Sequence, residues 1–358
     1  MKHKKKFLYV FPSNFEHHGL RNKIMGQMAT FEKHFQATLS FFEYKKKDPS
    51  LKKMALYLKF EGMSFIKAWN ADIVYTRYNA KAVLTNLMMA FFSWFKPVFF
   101  EHNTNYKTEL AHLKRPFEKW LHGITLSLLK FFPGFHIGVT HEIKSLLESY
   151  GFKKTRMFTV QNGYLAPQLD KSKVDLNVLH EVKEKRASFH KAAILCGGGY
   201  AWHGLDNILS LFSSCPNILL LVVGPYENQS DMPNVTYLRT LNSETLMSLY
   251  PIVDFGIGSF NMDLNKITEG CPLKVREYLC AGIPVLVNYK ECASEIKKLQ
   301  PYIFNLKEDP AAFEKISAGQ FDNELIKSLA RHYLSWDELL HPIIQFAKKN
   351  VLLTRLPS

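Results

Sequence analysis

Residues 269–288, EGCPLKVREYLCAGIPVLVN, set two carboxylates, Glu269 and Glu277, eight positions apart around a Gly, a Pro and a Lys. An apolar β-branched run ending in Asn288 follows. Pro272 suits the first position of a helix, where its missing N–H costs nothing, and Gly270 lets the preceding loop turn tightly. A helix that begins there turns the free N–H groups of Leu273, Lys274 and Val275 outward from its positive end. Such an end is a phosphate site, and Lys274 adds a full charge. Glu277 falls in the second turn, on the flank of the anion, where a carboxylate repels phosphate but accepts hydrogen bonds from a ribose. Glu269, in the loop before the helix, is aimed at whatever hangs from the far side of the phosphate. Anion, ribose and a third group in that order describe a nucleotide sugar. Two glutamates on an ordinary amphipathic helix would be solvated and idle. The Gly, Pro, Lys, Glu-Tyr and Gly-Ile-Pro-Val in register argue for a site instead.

The same stretch resembles the Glu-x7-Glu signature of retaining, GT-B-fold glycosyltransferases of the large family four, in the P-x-K-x-x-E-Y-x-x-x-G-x-P-V form common among bacterial members. The resemblance implies that Glu269 lies near the donor sugar and that Glu277 binds the nucleotide ribose. It also implies a same-face attack by the acceptor, with the departing phosphate taking the proton, so that no protein base is needed. That fits a chain without an obvious carboxylate dyad.

Other segments extend the resemblance. CGGGYAWHGLDNIL (196–209) is similar to the family's donor loop, with Trp-His-Gly where x-Lys-Gly is usual. His203 then holds the lysine's place, and Gly198 or Gly199 the region of an arginine. A neutral His203 keeps one hydrogen bond to give. VFFEHNT (98–104) resembles the segment that brings a histidine, here His102, to the reacting sugar; a structural histidine at a strand end is the alternative. PSNFEHHGLRNKI (12–24) is compatible with the family's glycine loop, although Gly19 is its single glycine. GVTHEIKSLLESYGF (138–152), VQNGYL (160–165) and LLLVVGPYE (219–227) support the fold rather than the chemistry.

The elements that must position these residues alternate. Short apolar runs at 7–11, 37–42, 73–76, 98–100, 136–139 and 157–160 read as strands. A second set follows at 192–196, 218–223, 235–238, 255–259 and 284–287. Helical periodicity fills most of the gaps, as at 20–35, which predicts α/β architecture with parallel sheets. The lysine-rich stretch 168–186 interrupts the pattern and reads as a connection. The implied arrangement is GT-B: two Rossmann-like α/β domains with parallel sheets facing across a cleft. Residues 1–167 form the acceptor-side domain and 168–334 the nucleotide-sugar domain. Residues 335–358 are a C-terminal helix that returns to the first domain, with Ser335-Trp336 at its start.

The 358 residues suffice for two domains. The net charge of +14 resides entirely in the first half: residues 1–170 hold 26 Lys and Arg against 12 Asp and Glu, and the remainder hold 20 of each. That half favours an anionic partner, with nucleic acid and an acidic membrane surface both candidates. No run is long enough to cross a membrane; 82–95 is too short. Residues 113–132 suit either a helix lying in a membrane interface or a buried domain helix. Five cysteines without C-x-x-C spacing point to a reducing cytoplasm. P-loop, nucleophile-elbow and H-E-x-x-H motifs are missing, and no Asp-x-Asp clamp exists.

The resemblance therefore implies a metal-independent, cofactor-free transferase of bacterial surface polysaccharide biosynthesis. It takes a nucleotide sugar as donor and a glycan or lipid-linked acceptor. Its place is the cytoplasm, peripheral on the inner membrane face, with no nucleic acid partner. A non-catalytic basic module, or a GT-B epimerase or phosphorylase-like enzyme, are the rivals.

Overall fold

Alternating strand and helix produce two α/β units, Met1–Gln161 with Trp336–Ser358, and Asn162–Ser335. The computed structural model describes residues 4–15, 18–45, 47–167 and 169–353. The first unit runs β1 (Lys6–Phe11), α1 (His18–His34), β2 (Gln36–Phe41), α2 (Ser50–Asn70), β3 (Ile73–Arg77), α3 (Val83–Phe92) and β4 (Val98–His102). It continues with α4 (Tyr106–His112), α5 (Pro116–Leu129), β5 (Phe135–Gly138), α6 (His141–Ser149) and β6 (Met157–Thr159). The strands lie in the order β2-β1-β3-β4-β5-β6, all parallel. β1 is a continuous apolar run buried from Phe7 to Phe11, and β4 is buried throughout although it ends in Glu101 and His102, as strands covered on both faces are. Right-handed crossovers put α2, α3 and α5 together on one side of this sheet.

The second unit runs α7 (Leu176–Arg186), β7 (Lys191–Cys196), α8 (Leu205–Ser213), β8 (Ile218–Val223), β9 (Val235–Leu238), α9 (Ser243–Leu249) and β10 (Phe255–Ile257). Then come β11 (Glu269–Gly270), α10 (Leu273–Ala281), β12 (Val285–Val287), β13 (Lys290–Glu291), β14 (Ile303–Asn305), α11 (Ala312–Ala318) and α12 (Asn323–Tyr333). Its main sheet is parallel in the order β14-β12-β10-β7-β8-β9, and β11 pairs with β13 alone. The stretch 168–186 differs from its reading as a connection: α7 belongs to this unit and Val182 is buried in its core. The chain breaks at Leu334 and Ser335, and α13 (Trp336–Leu353) packs on α1 with Trp336, Leu340 and Ile343 in the first unit's core.

One buried carboxylate organises the carboxyl end of the first sheet. Glu101 receives Gln27 Nε2 and Tyr75 Oη at 2.6 Å each, and Asn103 Nδ2 at 2.7 Å. Gln27 and Tyr75 share Oε2, whereas Lys23 Nζ lies 2.7 Å from Oε1, the oxygen that also takes Asn103. Burial alone would raise this carboxyl, but Lys23 and Arg77 bring it down to about 2. A carboxyl held below its ordinary range stabilises the fold fully above about pH 4.5, and that contribution is lost as pH falls towards 2. Glu101→Gln leaves Lys23 buried without its counter-charge. It is expected to lower stability at pH 7 by about 3–5 kcal/mol in urea unfolding. The difference from the parent chain should shrink on acidification; an unchanged midpoint would show that the pair contributes nothing.

Candidate functional site

In the second unit β7, β8 and β9 wind one way across the sheet, and β10, β12 and β14 the other. The reversal falls between β7 and β10. At such a switch point the following loops diverge and leave a crevice at the carboxyl ends of the strands, where open α/β sheets take their ligands.

Cys196 ends β7, and the three glycines after it form one wall. A side chain at Gly197 would overlap the Tyr226 hydroxyl and the His203 ring. Gly199 is left-handed at φ +72°, with a Pro225 carbonyl where a side chain would go. His203 is buried, and its Nδ1 is 2.7 Å from Tyr226 Oη. The Gly199 N–H donates to that same hydroxyl. We assign the Tyr226 proton to the bond with Nδ1, which places the neutral imidazole's own proton on Nε2. Burial first, and then Lys274, push the imidazole down to about 2, so it is neutral at pH 7.

α10 forms the opposite wall. Pro272 is its N-cap residue at φ −69°, ψ 141° rather than its first helical residue, so the helix begins one residue later than expected, and Pro272 makes no side-chain cap. The N–H groups of Leu273, Lys274 and Val275 are thus open. The helix is seated by Tyr278, whose ring occupies the space left by Gly256 and whose Oη accepts the Cys196 N–H at 2.9 Å. Lys274 and Glu277, three residues apart, share a face of the helix. The Lys274 ammonium is buried without a hydrogen-bond partner. Burial lowers it to about 8, with Cys196 and Glu277 acting the other way. Burial raises Glu277 to about 7 against the opposing effects of Tyr250 and Lys274. Tyr250 Oη donates to it at 3.3 Å. A cation without a partner and a carboxylate with a single weak one sit side by side.

The other expected residues fall elsewhere. Glu269 lies in β11 rather than in a free loop. It is buried and ion-paired to Lys290 at 2.9 Å, a partner 21 residues on that no local pattern announces. Gly270 passes beneath Tyr289, whose ring edge would stand 2.5 Å from an added side chain. His102 belongs to the first unit, where it is buried at the end of β4 and stacked on Tyr78. Its Nε2 is 3.0 Å from His136 Nδ1. Burial holds it well below its ordinary value, so it too is neutral. Gly19, also in the first unit, lies in the first turn of α1 rather than in a loop. Lys274 acts electrostatically on both His203 and Cys196, so the glycine loop and the start of α10 lie close together in the second unit. Sequence reasoning missed Tyr226 and Tyr250, and gave Tyr278 no role beyond its place in the Glu-Tyr pair. The first stands in LLLVVGPYE just past β8, at the sheet end where ligands bind, and that position was its signal.

No protein-family model matches this chain, and no curated protein matches it in sequence. Solved structures do match. HepE of Anabaena, in complex with UDP and glucose, aligns with a TM-score of 0.63 at 11% identity, over 96% of this chain and 100% of its own. WaaG, a glycosyltransferase involved in lipopolysaccharide biosynthesis, aligns at 0.58 and 15% identity over 98% and 100%. UDP-N-acetylglucosamine 2-epimerase from Rickettsia bellii aligns at 0.54 and 12% identity over 97% and 98%. The fold is that of the GT-B glycosyltransferases.

Gly197→Ala should force Tyr226 and His203 apart. A loss of about 1–3 kcal/mol in unfolding free energy is expected; an unaltered midpoint would show that the glycine wall is not tight.

Proposed function

We propose that this chain is a retaining glycosyltransferase. It moves a sugar from a nucleotide diphosphate sugar to a hydroxyl of a glycan or lipid-linked acceptor in bacterial surface polysaccharide biosynthesis, without a metal or cofactor. The observation that carries the proposal is the unpartnered Lys274 ammonium beside Glu277, at the uncapped start of α10 and at the switch point of the sheet. Support comes from the likeness to HepE, whose structure holds UDP and glucose, and to WaaG, a glycosyltransferase involved in lipopolysaccharide biosynthesis.

The diphosphate rests against the N–H groups of Leu273, Lys274 and Val275, with Lys274 as the full charge and Nε2–H of His203 as a further donor. Gly199, Gly270 and Pro272 shape the backbone around it. Glu277 accepts from the ribose hydroxyls and Glu269 orients those of the sugar. The bond from the anomeric carbon to the phosphate oxygen breaks as the acceptor oxygen closes on the same face. The acceptor proton passes to the departing phosphate. Charge gathers on that phosphate, so donors fixed around it act mainly at the barrier. The acceptor is reached at the inner face of a membrane, in keeping with the basic first half.

A second reading is epimerisation of a nucleotide sugar, favoured by the likeness to the Rickettsia enzyme. Product analysis separates them: transfer consumes acceptor and releases nucleoside diphosphate, whereas an epimerase returns an isomeric nucleotide sugar.

Lys274→Met should lower kcat about 100- to 1,000-fold, whereas Glu277→Ala should chiefly raise the donor KM. Steady-state kinetics that left both constants unchanged would remove both roles. Glu277 must be ionised and Lys274 protonated, so kcat/KM for the donor should peak between pH 7 and 8. It should fall below that window as Glu277 gains a proton, and above it as Lys274 loses one. Glu277→Gln should abolish the acid limb. Activity should survive excess EDTA; rescue of a dead enzyme by Mn²⁺ would overturn the metal-free scheme.

A further inference from the structure

The first unit carries a surface that the donor site does not use. Each of α2, α3 and α5 has an apolar stripe turned away from the core. On α2 the stripe runs through Leu51, Met54, Leu58, Phe65 and Trp69, all exposed at helical spacing. On α3 and the turn after it, Leu84, Phe91 and Trp94 are exposed. On α5 the stripe is Phe117, Trp120, Ile124 and Leu128. Trp69, Trp94 and Trp120 stand 64%, 62% and 60% exposed, against the usual burial of tryptophan.

The three stripes make one patch. α3 packs against both α2 and α5. Trp69 meets Phe92 at 6.2 Å between ring centres, and Trp94 meets Phe132 at 6.4 Å. Lys96 ties the end of α2 to the end of α3 by donating to the carbonyls of Ala68, Trp69 and Ala71. Residues 50–131 hold twelve Lys and Arg against five acids, and Glu61 and Glu101 among those acids are buried. Among the described residues, no helix is long and apolar enough to cross a membrane.

We propose that the outward face of α2, α3 and α5 docks on a bilayer of anionic phospholipid. The tryptophan and phenylalanine rings sit at the headgroup boundary, and the lysines lie against the phosphates. Exposed aromatic rings among lysines match that boundary, where apolar area and anionic charge are offered together. A second copy would set one basic face against another. The inference deepens the acceptor side of the function proposed above and is independent of its donor chemistry.

The test is sedimentation of the full chain with phosphatidylcholine vesicles, with and without phosphatidylglycerol. Binding to the anionic vesicles is expected, with a blue shift of tryptophan emission and quenching by brominated acyl chains. High salt should weaken binding without abolishing it. The triple variant Trp69→Ser, Trp94→Ser, Trp120→Ser should bind at least about tenfold more weakly with an unchanged unfolding temperature. Lys52→Glu with Lys59→Glu should lose the preference for anionic lipid. No vesicle binding by the parent chain, equal binding by the triple variant, or a stable dimer dispersed by that variant would each overturn the proposal. A thermal shift with UDP on the same preparations reports the donor site separately. Vesicle binding without that shift would sink the donor reading and leave this one standing.

Discussion

A fully buried guanidinium sets the angle at which α10 meets its sheet. Arg276 pairs with Glu291 on β13, and its Nε donates to the Asn162 carbonyl at 3.0 Å. Asn162 in turn donates to the Cys271 carbonyl at 2.6 Å, and Tyr289 to the second Glu291 oxygen at 2.7 Å. Three separate segments, at Asn162, at 271–276 and at 289–291, are thereby joined at one point beneath the first turn of the helix. A buried ion pair is weak evidence for stability, because desolvation offsets most of the Coulomb gain. Its effect here is geometric. Rotation of α10 would pull Arg276 from Glu291, so the faces that carry Lys274 and Glu277 stay fixed towards the crevice.

That fixity matters because the two groups are held in a state that water would relieve. Burial pushes the Lys274 ammonium and the Glu277 carboxyl towards their neutral forms, and their pKa values converge to about 8 and 7. A diphosphate would supply the missing counter-charge, and sugar hydroxyls the missing donors. The neutral His203 fits the same logic. A second lysine there would face the Lys274 charge across a poorly hydrated space, whereas an imidazole offers a hydrogen bond without repulsion. One full cation plus fixed backbone dipoles is then the electrostatic means available at this crevice.

What the sequence could and could not disclose follows from locality. Parallel strands covered on both faces are continuous apolar runs, so ILLLVV at β8 was legible to the residue. β11 and β13, two residues each, and the half-buried β14 leave no periodic trace. α7 passed for a connection because Val182 is its one buried residue among many charges. In the site, Lys274 and Glu277 were legible because helix spacing fixes their common face. The Lys290 partner of Glu269 sits on β13, and Tyr226 and Tyr250 come from connecting segments far along the chain, so these were not. Nor could local pattern tell that His102 would turn inwards to His136.

The outward stripes of α2, α3 and α5 pose a different problem for a sequence. Periodicity marks an apolar face without saying which face looks inwards. α2 carries two: the inner one holds Phe60, Glu61, Ser64 and Ala68, and is the more polar. The Glu61 carboxylate accepts from the Thr85 hydroxyl, which lets polar groups serve at the helix–helix contact. The larger apolar residues are thereby left to the outside. Such a face left bare would pair copies of the chain, and the surplus of lysine around it opposes that pairing by like charge. The same lysines favour an anionic surface, so one charge pattern both keeps copies apart and selects what may cover the face.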